Sequence, residues 1–220
     1  MQAPVGTVEG DRGAMECWRA IRPLLGLGAA FLAGSIPFSN IAARLSRGVD
    51  LRAVANGTVS GTSLYRVAGF GPLAAAGVLE IGKGAVGPLI VGRDHPAMAA
   101  LAAGLGVAGH NWSPFLRGAG GRGLSPAIGA LGVAAWPGSL VLLAGMAGGK
   151  IVGQAAPGSL LAQAALIPVL ARLRGRRGAL VGAAVLAPML AKRLLGNAPV
   201  VGERPGRVYL TRLLLDRDER

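Results

Sequence analysis

Long apolar segments separated by short basic turns constrain the fold of this chain more than any other feature. The segments cover residues 21–45, 67–91, 97–112, 124–146, 151–170 and 179–195. A helix that spans the hydrocarbon core of a bilayer needs roughly 20 mainly apolar residues. The pattern therefore predicts an all-α, polytopic membrane helix bundle of about six or seven transmembrane helices, with re-entrant glycine-rich loops between some of them.

The charge of the chain agrees with a membrane location. Hydrophobic residues make up 52% of the sequence and the formal net charge is +13. A mean hydropathy of +0.51 is too high for a soluble protein of this size. Because the arginines flank apolar segments, they favour contact with membrane lipid headgroups over binding to nucleic acid. The single Cys17 excludes an intrachain disulfide framework and a cysteine metal site.

Three regions are predicted along the chain: a polar, disordered extension over residues 1–19, a membrane-embedded domain over residues 20–196, and a polar tail over residues 197–220. The basic segments 44–52, 117–122 and 172–177 are expected on the cytoplasmic side, because positive residues concentrate there. This predicts a multi-pass protein of the bacterial inner membrane. The side of the C-terminus stays open.

A glycine-rich turn within residues 110–125 is the most polar stretch between two apolar segments. It contains Arg117, Gly118, Gly120, Gly121, Arg122 and Gly123. Glycines let successive backbone N–H groups point at one anion, and the arginines add positive charge, which is the chemistry of a phosphate site. A flexible interfacial loop explains the same residues equally well.

Two other groups of polar residues stand out. Glu80 and Lys83 interrupt an apolar segment three residues apart, so they lie on one helix face and can pair. An ionisable pair at that depth suggests a functional site, although a structural ion pair is the alternative. Hydroxyl side chains over residues 58–63, beside Arg66, can bind a polyol or phosphate, or can simply form turns.

The order of these motifs resembles that of the bacterial acyl-phosphate:glycerol-3-phosphate acyltransferase family of the PlsY type, from about Gly34 to Pro126. The three matching elements are Gly34–Pro37 followed by Arg44; Asp50 and Arg52 leading through Arg66 and Gly69 to Glu80, Lys83 and Gly84; and Gly109–His110 followed by Gly120–Gly123. Each element alone is weak evidence, but the three in order are strong evidence.

The chain departs from the family pattern at several positions. Glu80 replaces an aspartate, Arg122 replaces a lysine, and hydroxyl residues Thr58 and Ser63 replace amides. The proline expected three residues after the histidine is Pro114, one position later, and the family's C-terminal arginine, histidine and asparagine fall on apolar residues around 187–190. These changes put retained activity in doubt more than membership.

The resemblance implies transfer of a fatty acyl group from acyl phosphate to the 1-hydroxyl of glycerol 3-phosphate, giving lysophosphatidate without a cofactor or metal. The catalytic residues it implies are Ser35, Lys83, His110 and Arg122. Arg44, Arg66, Gly120, Gly121 and Gly123 are expected to bind phosphate, Thr58, Thr62 and Ser63 to bind glycerol, and Glu80 to orient Lys83. Neither His110 nor His95 has an aspartate five residues later, so the His-x4-Asp mechanism of other glycerolipid acyltransferases is not supported.

Two other functions stay open from the sequence. A non-catalytic relative that binds phospholipids or phosphorylated precursors is consistent with the altered motifs. A small-molecule transporter is consistent with an ionisable pair and broken helices, although no inverted repeat is evident between the two halves.

Overall fold

The structure, a computed structural model, describes residues 6–54, 57–197 and 205–216 and is all-α over this part of the chain. The α-helices in these ranges are α1 (Gly6–Ser35), α2 (Phe38–Arg47), α3 (Gly61–Ala68), α4 (Phe70–Val91), α5 (Pro96–Asn111), α6 (Leu124–Ala134), α7 (Trp136–Ile151), α8 (Ala155–Leu195) and α9 (Pro205–Leu215). Two short 3-10 helices, Leu51–Ala53 and Pro114–Leu116, lie in the connecting turns.

Helix length and composition agree with a membrane location. Three helical segments, Met15–Arg47, Phe70–Val91 and Ala155–Leu195, are long and apolar enough to cross a bilayer. Large apolar side chains such as Phe70, Val78 and Leu89 of α4 point outward and are more than half exposed, as lipid-facing residues are. The predicted all-α membrane helix bundle is confirmed, and the total of six or seven spans stays a prediction.

Small residues bring the helices around the centre of the bundle into backbone contact. A Cβ atom added to Gly84 of α4 would lie 1.9 Å from the carbonyl oxygen of Pro126, and one added to Gly129 of α6 would lie 1.8 Å from that of Ile81. Gly34 of α1 approaches the backbone of Gly106 of α5 in the same way. Glycine is required at these positions because any side chain would separate the helices.

Helix α8 is a helical hairpin, because Gly175 has a φ of 61° and reverses the chain. As a result, the Arg193 guanidinium donates hydrogen bonds to the Ala156 carbonyl and the Ser159 hydroxyl near the start of α8. The joined ends of α8 also contact the glycine-rich turn, where Lys192 Nζ donates to the Gly118 carbonyl. The basic turn 172–177 lies at the other end of the hairpin, roughly 27 Å away at 1.5 Å per residue. The expectation that all three basic segments share one face is therefore wrong.

Helix boundaries differ from the predicted ones at three places. Residues 6–19 belong to α1 instead of being disordered, because the helix continues from the apolar segment toward the N-terminus. The apolar segment 124–146 is divided at Ala135, where Pro137 lies in the first turn of α7 and cannot continue the hydrogen-bond ladder of α6. The predicted polar tail contains α9, whereas residues 198–204 and 217–220 lie outside the described part.

Candidate active site

The break between α1 and α2 creates opposite helix ends that bind the Glu80–Lys83 pair. Pro37 has no backbone N–H, so the chain leaves the helix at Ile36, and the Ile36 carbonyl accepts a hydrogen bond from Lys83 Nζ at 2.6 Å. At the start of α2, the backbone N–H and the hydroxyl of Ser39 both donate to Glu80 Oε1 at 3.0 Å. A cation thus meets a helix C-terminus and an anion meets a helix N-terminus, as the helix dipoles favour.

Glu80 joins Lys83 to His110. Its Oε2 atom lies 2.6 Å from Lys83 Nζ and 3.1 Å from His110 Nδ1. The predicted pairing of Glu80 with Lys83 is confirmed, and both side chains are at most 4% exposed. Because Nδ1 faces a carboxylate, it carries the proton, which leaves His110 Nε2 as a hydrogen-bond acceptor.

The glycine-rich turn packs directly against His110. A Cβ atom on Gly121 would lie 2.2 Å from His110 Nε2, and one on Gly120 would lie 2.2 Å from the His110 carbonyl oxygen. The Gly121 N–H donates to the His110 carbonyl at 3.4 Å, and the Gly120 N–H donates to Asn197 Oδ1 at 3.3 Å. In this structure the glycines therefore allow close approach, and these two N–H groups bond within the protein.

These elements enclose a small pocket. It is lined by Ser35, Pro37, Val59, Glu80, Lys83, His110, Ser113, Leu116, Gly120 and Gly121. Six of these residues belong to the predicted site. Ser113, which the motifs did not identify, is 1% exposed and donates from its hydroxyl to the Ser35 carbonyl at 2.6 Å. The Ser35 hydroxyl itself donates to the Phe31 carbonyl at 2.7 Å.

Arg44 and Arg66 do not line this pocket. The Arg44 guanidinium is about half exposed and forms an ion pair with Asp50, which also pairs with Arg52 at 2.7 Å. The guanidiniums of Arg52 and Arg44 hold the pKa of the Asp50 carboxyl well below its usual range, although partial burial opposes this. Asp50 therefore stays ionised and paired at neutral pH. Arg66 is exposed on the last turn of α3.

The predicted hydroxyl residues mainly stabilise the turn that leads into α3. The Ser60 hydroxyl caps this helix by accepting from the Ser63 N–H, and the Ser63 hydroxyl donates to the Thr58 carbonyl at 3.0 Å. Thr58 is buried, whereas Thr62 is exposed. The turn-forming alternative thus accounts for the contacts of Ser63. None of the predicted glycerol-binding side chains, Thr58, Thr62 and Ser63, lines the pocket.

Arg122 lies beside the pocket and contacts the C-terminal part of the chain. Its Nε lies 2.7 Å from Asp216 Oδ1, and it donates to the Lys192 carbonyl at 2.9 Å. Gly123 has a φ of 78° and precedes α6, where it turns the chain into the helix.

Several buried polar residues near this end of the bundle were missed by sequence reasoning. Lys192, Arg193 and Arg212 are at most 2% exposed, and Lys192 Nζ lies 5.5 Å from the centroid of the Trp112 ring. Arg212 of α9 donates to the Leu195 carbonyl at the end of α8 at 2.6 Å. Their signal in the sequence was weak, because basic residues after an apolar segment usually mark a solvated helix end.

The helix bundle and the buried Glu80–Lys83–His110 cluster define an integral membrane protein with a polar site enclosed between its helices. The sequence profile of the glycerol-3-phosphate acyltransferase family matches residues 24–198. The chain therefore belongs to the glycerol-3-phosphate acyltransferase family.

Individual relatives carry the same name. Glycerol-3-phosphate acyltransferase 5 of Dehalococcoides mccartyi is 36% identical over 141 residues, which are 63% of this chain and 60% of that protein. The enzyme of Gloeobacter violaceus is 34% identical over 53% of this chain and 60% of its own length, and that of Caulobacter vibrioides is 39% identical over 49% and 50%. The chain thus spans between half and 60% of the length of these relatives.

Solved structures share the fold. The crystal structure of PlsY (YgiH), an integral membrane glycerol 3-phosphate acyltransferase in its glycerol 3-phosphate form, is similar with a TM-score of 0.66 and 22% identity, covering 84% of this chain and 98% of that one. The lysophosphatidic acid form gives a TM-score of 0.62 at 20% identity, covering 82% and 95%. This likeness extends beyond the motif region to most of the bundle.

Proposed function

We propose that the protein transfers a fatty acyl group from acyl phosphate to the 1-hydroxyl of glycerol 3-phosphate. The observation that supports this most directly is the Lys83 ammonium, held between Glu80 and the Ile36 carbonyl in a pocket shared with His110, Ser35 and the glycine-rich turn. A buried, oriented cation between membrane helices suits a phosphorylated substrate whose acyl chain remains in lipid.

The proposed reaction needs positioning more than covalent catalysis. Acyl phosphate is an activated mixed anhydride, so the 1-hydroxyl oxygen attacks the acyl carbon directly. A carbon–oxygen ester bond forms, the bond between the acyl carbon and the phosphate oxygen breaks, and its electrons leave with inorganic phosphate. Holding the reactants together and stabilising the developing charge supply most of the rate.

The pocket residues divide these tasks. Lys83 neutralises the phosphate, and His110 Nε2 accepts the proton of the attacking hydroxyl and passes it to the leaving phosphate. Glu80 holds both side chains in place through its Oε2 atom. The hydroxyls of Ser35 and Ser113 bind backbone carbonyls at the end of α1 and so keep this side of the pocket rigid. Arg122, which follows Gly121 of the pocket lining, adds positive charge beside the pocket.

Purified full-length protein, incubated with radiolabelled glycerol 3-phosphate and acyl phosphate, tests the proposal. Labelled lysophosphatidate supports the acyltransferase. Retention of glycerol 3-phosphate without product supports a non-catalytic binder, the second candidate. Accumulation of label inside protein-containing vesicles, without product, supports a transporter.

Asp216 provides a test of the proposed role of Arg122. Because the Asp216 carboxylate lies 2.7 Å from Arg122 Nε, it competes with a substrate phosphate for the same guanidinium. We expect Asp216→Asn to lower KM for glycerol 3-phosphate by roughly three- to tenfold, with kcat little changed, since charge-assisted pairs contribute about 1 kcal/mol. Asp94→Asn, which removes the exposed partner of Arg22, serves as the control. An unchanged KM would show that Arg122 does not bind the substrate.

We further propose that the pocket faces the cytoplasm from the bacterial inner membrane, because a phosphorylated substrate does not cross a bilayer unaided. Cys17 and Ser35 lie on α1 roughly 27 Å apart at 1.5 Å per residue, so Cys17 marks the opposite face. Cys17 is exposed and is the single cysteine of the chain. We expect a membrane-impermeant maleimide to label Cys17 in intact spheroplasts but not in sealed inside-out vesicles. The reverse pattern would place the pocket outside, and Cys17→Ser controls for other labelling.

A further inference from the structure

Asn197 connects two loops that line the pocket, the glycine-rich turn at Gly120 and the loop of Thr58 and Val59. It follows α8 directly, after Gly196, whose φ of 66° turns the chain away from the helix axis. Its side-chain Oδ1 accepts from the Gly120 N–H at 3.3 Å, and its Nδ2 donates to the Gly120 carbonyl at 3.1 Å and to the Thr58 hydroxyl at 3.3 Å. One amide thus binds both backbone polar groups of a single glycine and a second loop.

Gly120 is the point at which these loops meet. Its carbonyl also accepts from the Val59 N–H at 3.3 Å, so Asn197 and Val59 share it. Gly121, the next residue, contacts the His110 ring so closely that a Cβ there would lie 2.2 Å from Nε2. A shift of Gly120 therefore moves both the Val59 loop and the backbone that fixes the His110 ring.

An amide, which carries its donor and its acceptor on separate atoms, suits this contact. Gly120 presents one donor and one acceptor on the same residue, and only a side chain with both functions can satisfy them together. A carboxylate lacks the donor and an ammonium lacks the acceptor. The contact also joins parts of the chain that lie 77 and 139 residues apart in sequence, so no local turn replaces it.

We propose that Asn197 is a positioning residue for acyl transfer: its amide holds Gly120 and Thr58 together, and so sets the width of the phosphate-binding pocket between Lys83 and the glycine-rich turn. Asn197 does not line the pocket and acts through Gly120 and His110. This inference rests on the proposed function, because the pocket that Asn197 positions is the one proposed to bind that substrate's phosphate.

The test compares Asn197→Leu and Asn197→Gln with the wild type as purified full-length protein. Leucine has a similar volume but makes none of the three hydrogen bonds, whereas glutamine keeps the amide one methylene farther out. We expect Asn197→Leu to raise KM for glycerol 3-phosphate about tenfold and Asn197→Gln to raise it less, because each lost hydrogen bond has a modest net effect. A folding defect alone lowers the active fraction and the apparent kcat, and it leaves KM unchanged.

Gln163→Leu is the matched control, since it makes the same kind of change, amide to leucine, at a buried position of α8 outside the pocket lining. An unchanged KM in Asn197→Leu, or an equal rise in Gln163→Leu, would overturn the proposal.

Equilibrium binding of radiolabelled glycerol 3-phosphate is measured in parallel. If the wild type binds this compound but forms no product, the acyltransferase proposal fails, and a tenfold weaker binding by Asn197→Leu still supports the role of Asn197. If the wild type neither binds it nor forms product, both proposals fail.

Discussion

Replacing Lys83 by methionine is expected to abolish lysophosphatidate formation, with a loss of about a thousandfold or more in kcat/KM. Lys83 lines the pocket as a cation and is only 4% exposed. Water therefore cannot take over the role of its ammonium group in the variant. Removing one preorganised donor from a water-excluded site commonly reduces a rate by about 100- to 1,000-fold, and Lys83 supplies a full charge as well. The initial rate at saturating acyl phosphate, measured against glycerol 3-phosphate concentration, gives the loss.

We also expect Lys83→Met to be less stable than the wild type, so the controls must distinguish a loss of stability from a loss of catalysis. Without Lys83, the Glu80 carboxylate is left buried without its ammonium partner. Removing one partner of a buried ion pair destabilises proteins by about 3–5 kcal/mol. The double variant Glu80→Gln/Lys83→Met removes both charges and should regain thermal stability in detergent without regaining activity. Glu80→Gln alone keeps the cation and should retain more activity than the double variant. A stable double variant with wild-type turnover would make Lys83 a structural residue.

Much of the bundle follows from patterns that act locally. Apolar length predicts membrane helices because each span must satisfy its own backbone in lipid. The spacing of Glu80 and Lys83 predicts their pairing because helix geometry places residues three apart on one face. Gly34–Pro37 predicts a loosening of the first span near one end, and in the structure the helix breaks there, with α1 ending at Ser35.

The consequence of that break was beyond sequence reasoning. Beyond the end of α1 at Ser35, the Ile36 carbonyl accepts from Lys83 Nζ as well as from the Phe38 N–H. The Ser39 N–H, in the first turn of α2, donates to Glu80, so the ion pair of α4 binds both helix ends. Such contacts depend on where helices from distant parts of the chain cross. The small residues that allow these crossings, such as Gly129, are hard to distinguish in a chain with 37 glycines.

Predictions based on charge were the least reliable, because the sequence shows neither how deeply a basic residue is buried in the bundle nor which group it pairs with. The turn around Gly175 has the same composition as a cytoplasmic loop, yet the hairpin of α8 carries it away from the pocket end. Arg122 was expected to point at a phosphate, and its ion pair with Asp216 depends on α9 docking against α8. Docking of this kind is set by tertiary packing, which no local pattern encodes.

The role of the glycine-rich turn leads to the second large effect: Gly121→Ala is expected to reduce kcat/KM by about 100-fold. The added Cβ would lie 2.2 Å from His110 Nε2 and 2.8 Å from the Val59 carbonyl oxygen, so the imidazole or the loop must move. A displacement of about 1 Å in a catalytic group commonly costs about 100-fold in rate. The loss is measured as kcat/KM for glycerol 3-phosphate, and the reason is steric, since alanine keeps the backbone N–H.

Gly82→Ala is the matched control, because Gly82 precedes Lys83 on α4 and a Cβ there meets no atom within 4 Å. In a helix interior, alanine is about 1 kcal/mol more favourable than glycine, so this variant should be at least as stable as the wild type and fully active. If the glycines served only as backbone donors, Gly121→Ala would retain nearly all activity, since its N–H would still be present. A large loss in Gly121→Ala alone would instead identify close packing against His110 as the reason for glycine at this position.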